Sequence, residues 1–162
     1  MLFLRYMYVL TLAVWLGGMI ILGTLAAPAT FDTLQARNPS GGRVTAGAVF
    51  GEMLKRFHRV SYVAGVIMIA SLIGMAALGQ RPTDFGVRVG LLSIMLLLSL
   101  GSGMVVTERI EKLQQSTAGP MSALPSNDPR RQHFGQLHGL SNLLMMLNVA
   151  GGLALVYWEA KS

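Results

Sequence analysis

Two histidines, His58 and His138, stand where apolar runs begin in a chain that has three histidines and no cysteine. An ionisable group at the edge of hydrocarbon is costly to keep there and is a functional candidate by default. At 100° per residue, His58 shares a helical face with Tyr62 and Gly65, and His138 shares one with Ser141 and Asn142. These residues, His58, Tyr62, His138, Ser141 and Asn142, form the expected ligand-binding set. Arg56, Arg59, Arg130 and Arg131 flank it and have the geometry to meet a carboxylate or phosphate. Haem b would satisfy such an arrangement, with His58 and His138 as metal ligands and arginines for the propionates, and so would a smaller anion. The competing expectation is two interfacial histidines bonded only to loop carbonyls.

No catalytic set emerges. His133 and His138 are five residues apart and point about 140° away from each other, unlike the two histidines of a HExxH helix. There is no G-x-S-x-G elbow, P-loop or dinucleotide fingerprint, and the lack of cysteine removes thiolate chemistry and disulfides. The 11 methionines lie in apolar runs, where methionine is filler more often than a copper ligand.

The composition says where these residues must operate. Hydrophobic residues make up 52% of the chain and charged residues 12%, with a mean hydropathy of +0.54, which describes an integral membrane protein. Four apolar runs, at about 2–27, 60–78, 87–106 and 129–159, predict one all-α domain over residues 1–162, a four-helix up-down-up-down transmembrane bundle. The first run is too long for a signal-peptide core, and Pro28 is expected to end or kink it. Residues 30–56 are then a loop turning at Asn38–Gly42, with a helical stretch from Thr45 to Phe57 that lies at the interface or leads straight into the second span. A second long and mobile loop is expected from Arg109 to Asp128. Asn127 or Asp128 with Pro129 caps the last helix, whose Phe134, His138, Ser141, Asn142, Met145, Asn148 and Gly152 form a polar, protein-facing stripe. The Gly86 and Gly90 pair is expected to serve internal packing.

The net charge of +6 has no interleaved aromatics to stack bases, so the expected partner is anionic lipid and not nucleic acid. Arg37, Arg43, Lys55, Arg56, Arg59, Arg109, Lys112, Arg130 and Arg131 fall on the side of the long loops, against Arg5, Arg81, Arg88 and Lys161 on the other. The positive-inside rule then puts the long loops in the cytoplasm and both termini outside, in a plasma (inner) membrane, with Tyr6, Tyr8, Tyr157 and Trp158 as the outer aromatic belt.

Asp128-Pro129, Phe134, His138-Gly139-Leu140-Ser141 and Asn148 together resemble the carboxy-terminal helix of the transmembrane protein 205 family. Ala27-Pro28 with Phe31, and Met53 to His58, are similar to it as well, although Lys55-Arg56 replaces the proline that the family places before helix 2. Trp15-Leu16-Gly17-Gly18 is also similar to copper-resistance membrane proteins and small haem-binding four-helix proteins. The resemblance implies a four-helix membrane protein without an established reaction. The expected function is non-enzymatic ligand binding or transport, or service as a subunit of a membrane complex or homo-oligomer. The alternative is a b-type haem protein or membrane oxidoreductase using His58 and His138.

Overall fold

The computed structural model describes residues 2–117 and 121–161. Four helices account for most of them: α1 (Leu2–Arg37), α2 (Gly42–Ala77), α3 (Phe85–Gln115) and α4 (Pro129–Lys161), each long and apolar enough to cross a membrane. At 1.5 Å per residue, such helices run roughly 46 to 54 Å, whereas hydrocarbon is only ~30 Å thick. All four therefore project beyond it. The α2–α3 turn is short, so the projection falls mainly at the opposite end, where the other two connections lie.

Those connections are shorter than expected. α1 continues through Pro28 because the ladder has already slipped: Leu22–Ala26 is a π segment, and the Ala27 N–H reaches back to the Leu22 carbonyl. The Thr24 and Thr30 hydroxyls donate to the Ile20 and Ala26 carbonyls at 2.7 and 2.6 Å, meeting acceptors around the break. The turn sits at Asn38–Gly41, where Asn38 Oδ1 accepts from the Gly41 N–H at 3.0 Å. Gly42 then lies on the Leu34 carbonyl with no space for a Cβ. Of the two expectations for Thr45–Phe57, the continuous helix is the one realised. In the second connection, Thr107–Gln115 is helical and prolongs α3, beyond a second π segment at Gly101–Val106.

The other boundaries follow familiar capping chemistry. Past α2, Gly79 takes a φ of 83°, and the Gln80 and Gly79 N–H groups bond the Met75 and Ala76 carbonyls, a Schellman closure. Asp128 caps α4 by accepting from the Arg130 N–H at 2.8 Å, with Pro129 in the first helical position. The Arg130 guanidinium bonded to the same carboxyl holds Asp128 below the usual carboxylate range, so the cap is present at neutral pH and is lost as pH falls through that lowered value.

In cross-section the helices form a ring in chain order, α1 against α2 and α4, and α3 against α2 and α4, leaving α2 and α4 diagonal. The core fills the half nearest the termini, around Tyr8, Trp15, Met68, Leu72, Leu92, Met95 and Leu155. Gly65 does not leave ligand room, since a Cβ there would stand 3.1 Å from the Trp15 ring. Gly86 and Gly90 serve no internal packing either, because a Cβ at either position would meet nothing within 4 Å. Beyond the π segments the packing runs within two hairpins. Ala27–Arg37 packs on α2, with Phe31 and Phe50 ring centroids 6.3 Å apart, and Thr107–Gln115 packs on α4.

The terminal end is closed by charge. Arg88, only 1% exposed, donates Nη1 to Glu159 Oε2 at 2.9 Å and Nη2 to the Trp158 carbonyl at 2.7 Å. Arg5 Nε reaches the other Glu159 oxygen at 2.7 Å, and Tyr8 stands beside Arg88, buried in the core and outside the expected aromatic belt. Helices α1, α3 and α4 are tied at one point. Removing one partner of a buried pair strands the other charge, so Glu159→Ala is expected to lower stability by about 3 kcal/mol. Arg5→Ala, at an exposed partner, should cost under about 1 kcal/mol. Thermal unfolding in detergent reads both, and equal losses would show that Arg88 is not what Glu159 holds.

Candidate functional site

Where the two hairpins part, a cleft of about 400 Å³ opens between α2 and α3. Its walls are Lys55, His58, Arg59 and Tyr62 from α2, and Gly103, Met104, Thr107, Glu108 and Glu111 from α3. One helical turn separates His58 from Tyr62, so their rings stack along α2, with centroids 6.1 Å apart and planes 13° from parallel. The Tyr62 hydroxyl crosses to α3 and donates to the Ser99 carbonyl at 3.3 Å, just ahead of the π segment. Gly103, inside that segment, lets the backbone of α3 come down on both rings: a side chain there would meet the Tyr62 hydroxyl and the His58 ring. The Thr107 hydroxyl turns back to the Ser102 carbonyl at 3.0 Å.

Electrostatically the cleft is nearly matched. Lys55 and Glu111 pair across it at 2.6 Å, a strut from one hairpin to the other, and Lys112 pairs with Glu108 at 3.1 Å along α3. Arg59 contributes a cation without an ion pair of its own among the described residues. His58 presents an enclosed imidazole whose two nitrogens have no hydrogen-bond partner. An imidazole has hydrogen-bonding capacity at both nitrogens, and here neither is met.

The structure thus brings His58, Tyr62 and Arg59 together, and it leaves the other expected site residues elsewhere. His138 is exposed on α4, stacked on Phe134 at 6.2 Å, and α4 contributes nothing to the cleft wall. The paired-histidine haem arrangement is accordingly not built, and among the described residues no three histidine, aspartate or glutamate side chains gather as a metal site. Ser141 is half-buried, and Asn142 is exposed, not turned into the protein. Only the terminal part of the α4 stripe is internal, with Asn148 buried and donating Nδ2 to the Leu144 carbonyl at 3.1 Å. Arg56 is paired with Glu52 at 2.8 Å, Arg130 with Asp128 at 2.9 Å, and Arg131 donates to the Leu124 carbonyl at 2.6 Å.

The far wall of the cleft was not apparent from spacing. Gly101-Ser102-Gly103 reads as small-residue packing and Glu108 as a solvated helix end, while the Lys55–Glu111 strut joins residues 56 positions apart. The one available signal was the cluster of glycine around Ser102, since a local surplus of small residues is where a π segment and a close approach are tolerated.

Fold and cleft together define a four-helix integral membrane protein that opens at its loop end. Residues 10–118 match a family described as a domain of unknown function (DUF4149), and the chain belongs to that family. The matched region contains every residue of the cleft wall and stops short of α4. No curated protein and no solved structure matches the chain.

Proposed function

We propose that this is a non-enzymatic membrane protein that binds a small ligand in the α2–α3 cleft, with His58 and Tyr62 as the polar contacts and Gly103 as the residue that lets α3 approach both rings. The observation that carries this reading is a cleft of about 400 Å³ walled by His58, Tyr62 and Arg59, in which both His58 nitrogens are enclosed and without a hydrogen-bond partner. A buried polar group without a partner costs on the order of 1 to 3 kcal/mol, a cost that a ligand offering a donor and an acceptor removes. Native mass spectrometry from mild detergent tests it. A small molecule should accompany the wild type and be lost from His58→Phe, which keeps a ring of similar shape and removes both nitrogens; identical spectra for the two proteins overturn the reading.

The distribution of basic residues supports a plasma (inner) membrane orientation with both long connections in the cytoplasm, both termini outside and anionic lipid at the loop end. Because the chain has no cysteine, single substitutions report the sidedness cleanly. Ser40→Cys and Ser126→Cys should resist an impermeant thiol reagent added to intact cells and react once the membrane is opened. Labelling before opening reverses the orientation.

A second reading, membership of a homo-oligomer, is favoured by α4. His138 and Asn142 are exposed on a membrane-crossing helix, and a Cβ at neighbouring Gly135 or Gly139 would meet nothing within 4 Å. Polar groups in hydrocarbon seek partners, and an asparagine amide is its own complement across a twofold axis. Oxidation of Asn142→Cys in membranes should give a disulfide-linked dimer, whereas Val63→Cys on α2 should not; monomer alone from both sinks the homo-oligomer.

A further inference from the structure

Close contacts of three glycines trace one layer across the bundle. A Cβ at Gly65 of α2 would stand 3.1 Å from Trp15 of α1 and 3.0 Å from Leu96 of α3. On α4, a Cβ at Gly152 would stand 3.0 Å from Leu16, and one at Gly151 2.8 Å from Met95. About four residues make a helical turn, so the next layer toward the loops is Met19, Ser61, Ser99 and Asn148. All four are buried and three are polar, at a depth where hydrocarbon surrounds the bundle. Asn148 is 3% exposed; its Nδ2 is bonded to the Leu144 carbonyl, and its Oδ1 has no hydrogen-bond partner. Gly151, which meets α3, and Gly152, which meets α1, lie ~60° to one side of Asn148 and ~40° to the other, so Asn148 faces the bundle axis. Ser61 is flanked in the same manner on α2, by Phe57 against Gly18 of α1 and by His58 against Gly103 of α3. The two residues thus face each other across the diagonal. Neighbouring helices ~8 to 10 Å apart put diagonal axes ~11 to 14 Å apart, a span that short side chains close through a bridge.

We infer that Asn148, Ser61 and Ser99 hold a water molecule on the bundle axis, at a site separate from the cleft and independent of any ligand there. The balance of donors and acceptors selects water. The Ser61 hydroxyl gives its proton to the Phe57 carbonyl at 3.1 Å, so its oxygen, like Asn148 Oδ1, is left as an acceptor. Water donates one proton to each and accepts from the Ser99 hydroxyl, the ~3 bonds that a buried water usually makes. A cation would enter a layer that has no carboxylate to balance it. Lipid cannot meet the amide oxygen in water's place, because hydrocarbon has no donor. Tyr62 donates to the Ser99 carbonyl at 3.3 Å, so the layer adjoins the cleft, and the cleft is the side from which water arrives. The core around Trp15, Met68 and Leu92 closes the other side.

Water-edited solid-state NMR of the full chain in lipid bilayers tests this, with the side-chain nitrogens of asparagine and tryptophan labelled. The chain has four asparagines and two tryptophans, so each signal is assignable. Polarisation from water protons should reach Asn148 Nδ2 nearly as fast as it reaches Asn38 in the exposed turn. The Trp15 indole, buried one layer away, should lag by about tenfold, as a group in a dry apolar core does. Ser61→Ala keeps a strong helix former and removes one of the three bonds, and it should slow the transfer to Asn148 severalfold. Ser71→Ala, an equally buried serine deeper in the terminal half of α2, should leave that transfer unchanged. A wild-type Asn148 as slow as Trp15 overturns the inference, and so does a rate that Ser61→Ala leaves untouched. An Asn148 signal that shifts when choline replaces sodium assigns the site to a cation and overturns the water.

Discussion

A guanidinium enclosed in a membrane protein cannot be left to lipid, and the architecture is arranged around where Arg88 finds its partners. Hydrocarbon supplies no acceptor and Arg88 is enclosed by protein, so the Glu159 carboxylate and the Trp158 carbonyl are delivered from α4, and Arg5 from α1 completes the neutralisation of that carboxylate. Meeting this requirement fixes the ends of three helices to within hydrogen-bond distance. Just beneath it, Tyr8, Leu12, Trp15, Leu92 and Leu155 pack into the densest part of the core. The terminal end is consequently the rigid end.

What is rigid at one end leaves freedom at the other. Past the two π segments the four-membered ring resolves into an α1/α2 hairpin and an α3/α4 hairpin, and the Lys55–Glu111 pair bridges the gap beside the cleft. That pair is partly exposed on both sides, with side chains 40% and 30% accessible, so it guides the spacing of the hairpins without locking it. The site lies at this seam. Tyr62 and His58 hang from a straight helix, while Gly103 lies in a helix whose ladder has slipped, and their contact is possible because one partner is regular and the other is not.

The spans, their count and their alternation were legible in the sequence, because hydrocarbon imposes the same demand on every residue of a 20-residue run and leaves a pattern that no neighbour can overrule. The Asn38–Gly42 turn and the Asp128-Pro129 cap were legible for a similar reason: both depend on residues adjacent in the chain. Pro28 left open whether the helix ends or kinks, and it does not end there because the π segment just before it has already slipped the ladder. His138 and Asn142 misled. Amphipathicity identifies a distinct face, yet it does not say whether that face meets the interior of its own bundle, and on the loop half of α4 it does not. The His58 and Tyr62 half of the cleft could be anticipated from one helical turn, whereas its other wall depends on pairing across α2 and α3, which periodicity along one helix does not encode.

The π segments have one more implication, for phase. Each lodges a surplus residue in its ladder, and one residue corresponds to about 100° of helical rotation. Angular position in α1 and α3 therefore has two origins, one valid from the termini to the slip and another beyond it, whereas α2 and α4 each run on a single origin. A single deletion within Gly101–Val106 would take out the surplus residue and restore a continuous α ladder with Thr107, Glu108 and Glu111 still facing the cleft, whereas forcing the same sequence into a regular ladder would swing all three about 100° round the axis. The slip in that short glycine-bearing stretch, more than the identity of any side chain after it, sets which residues Tyr62 and His58 have as company.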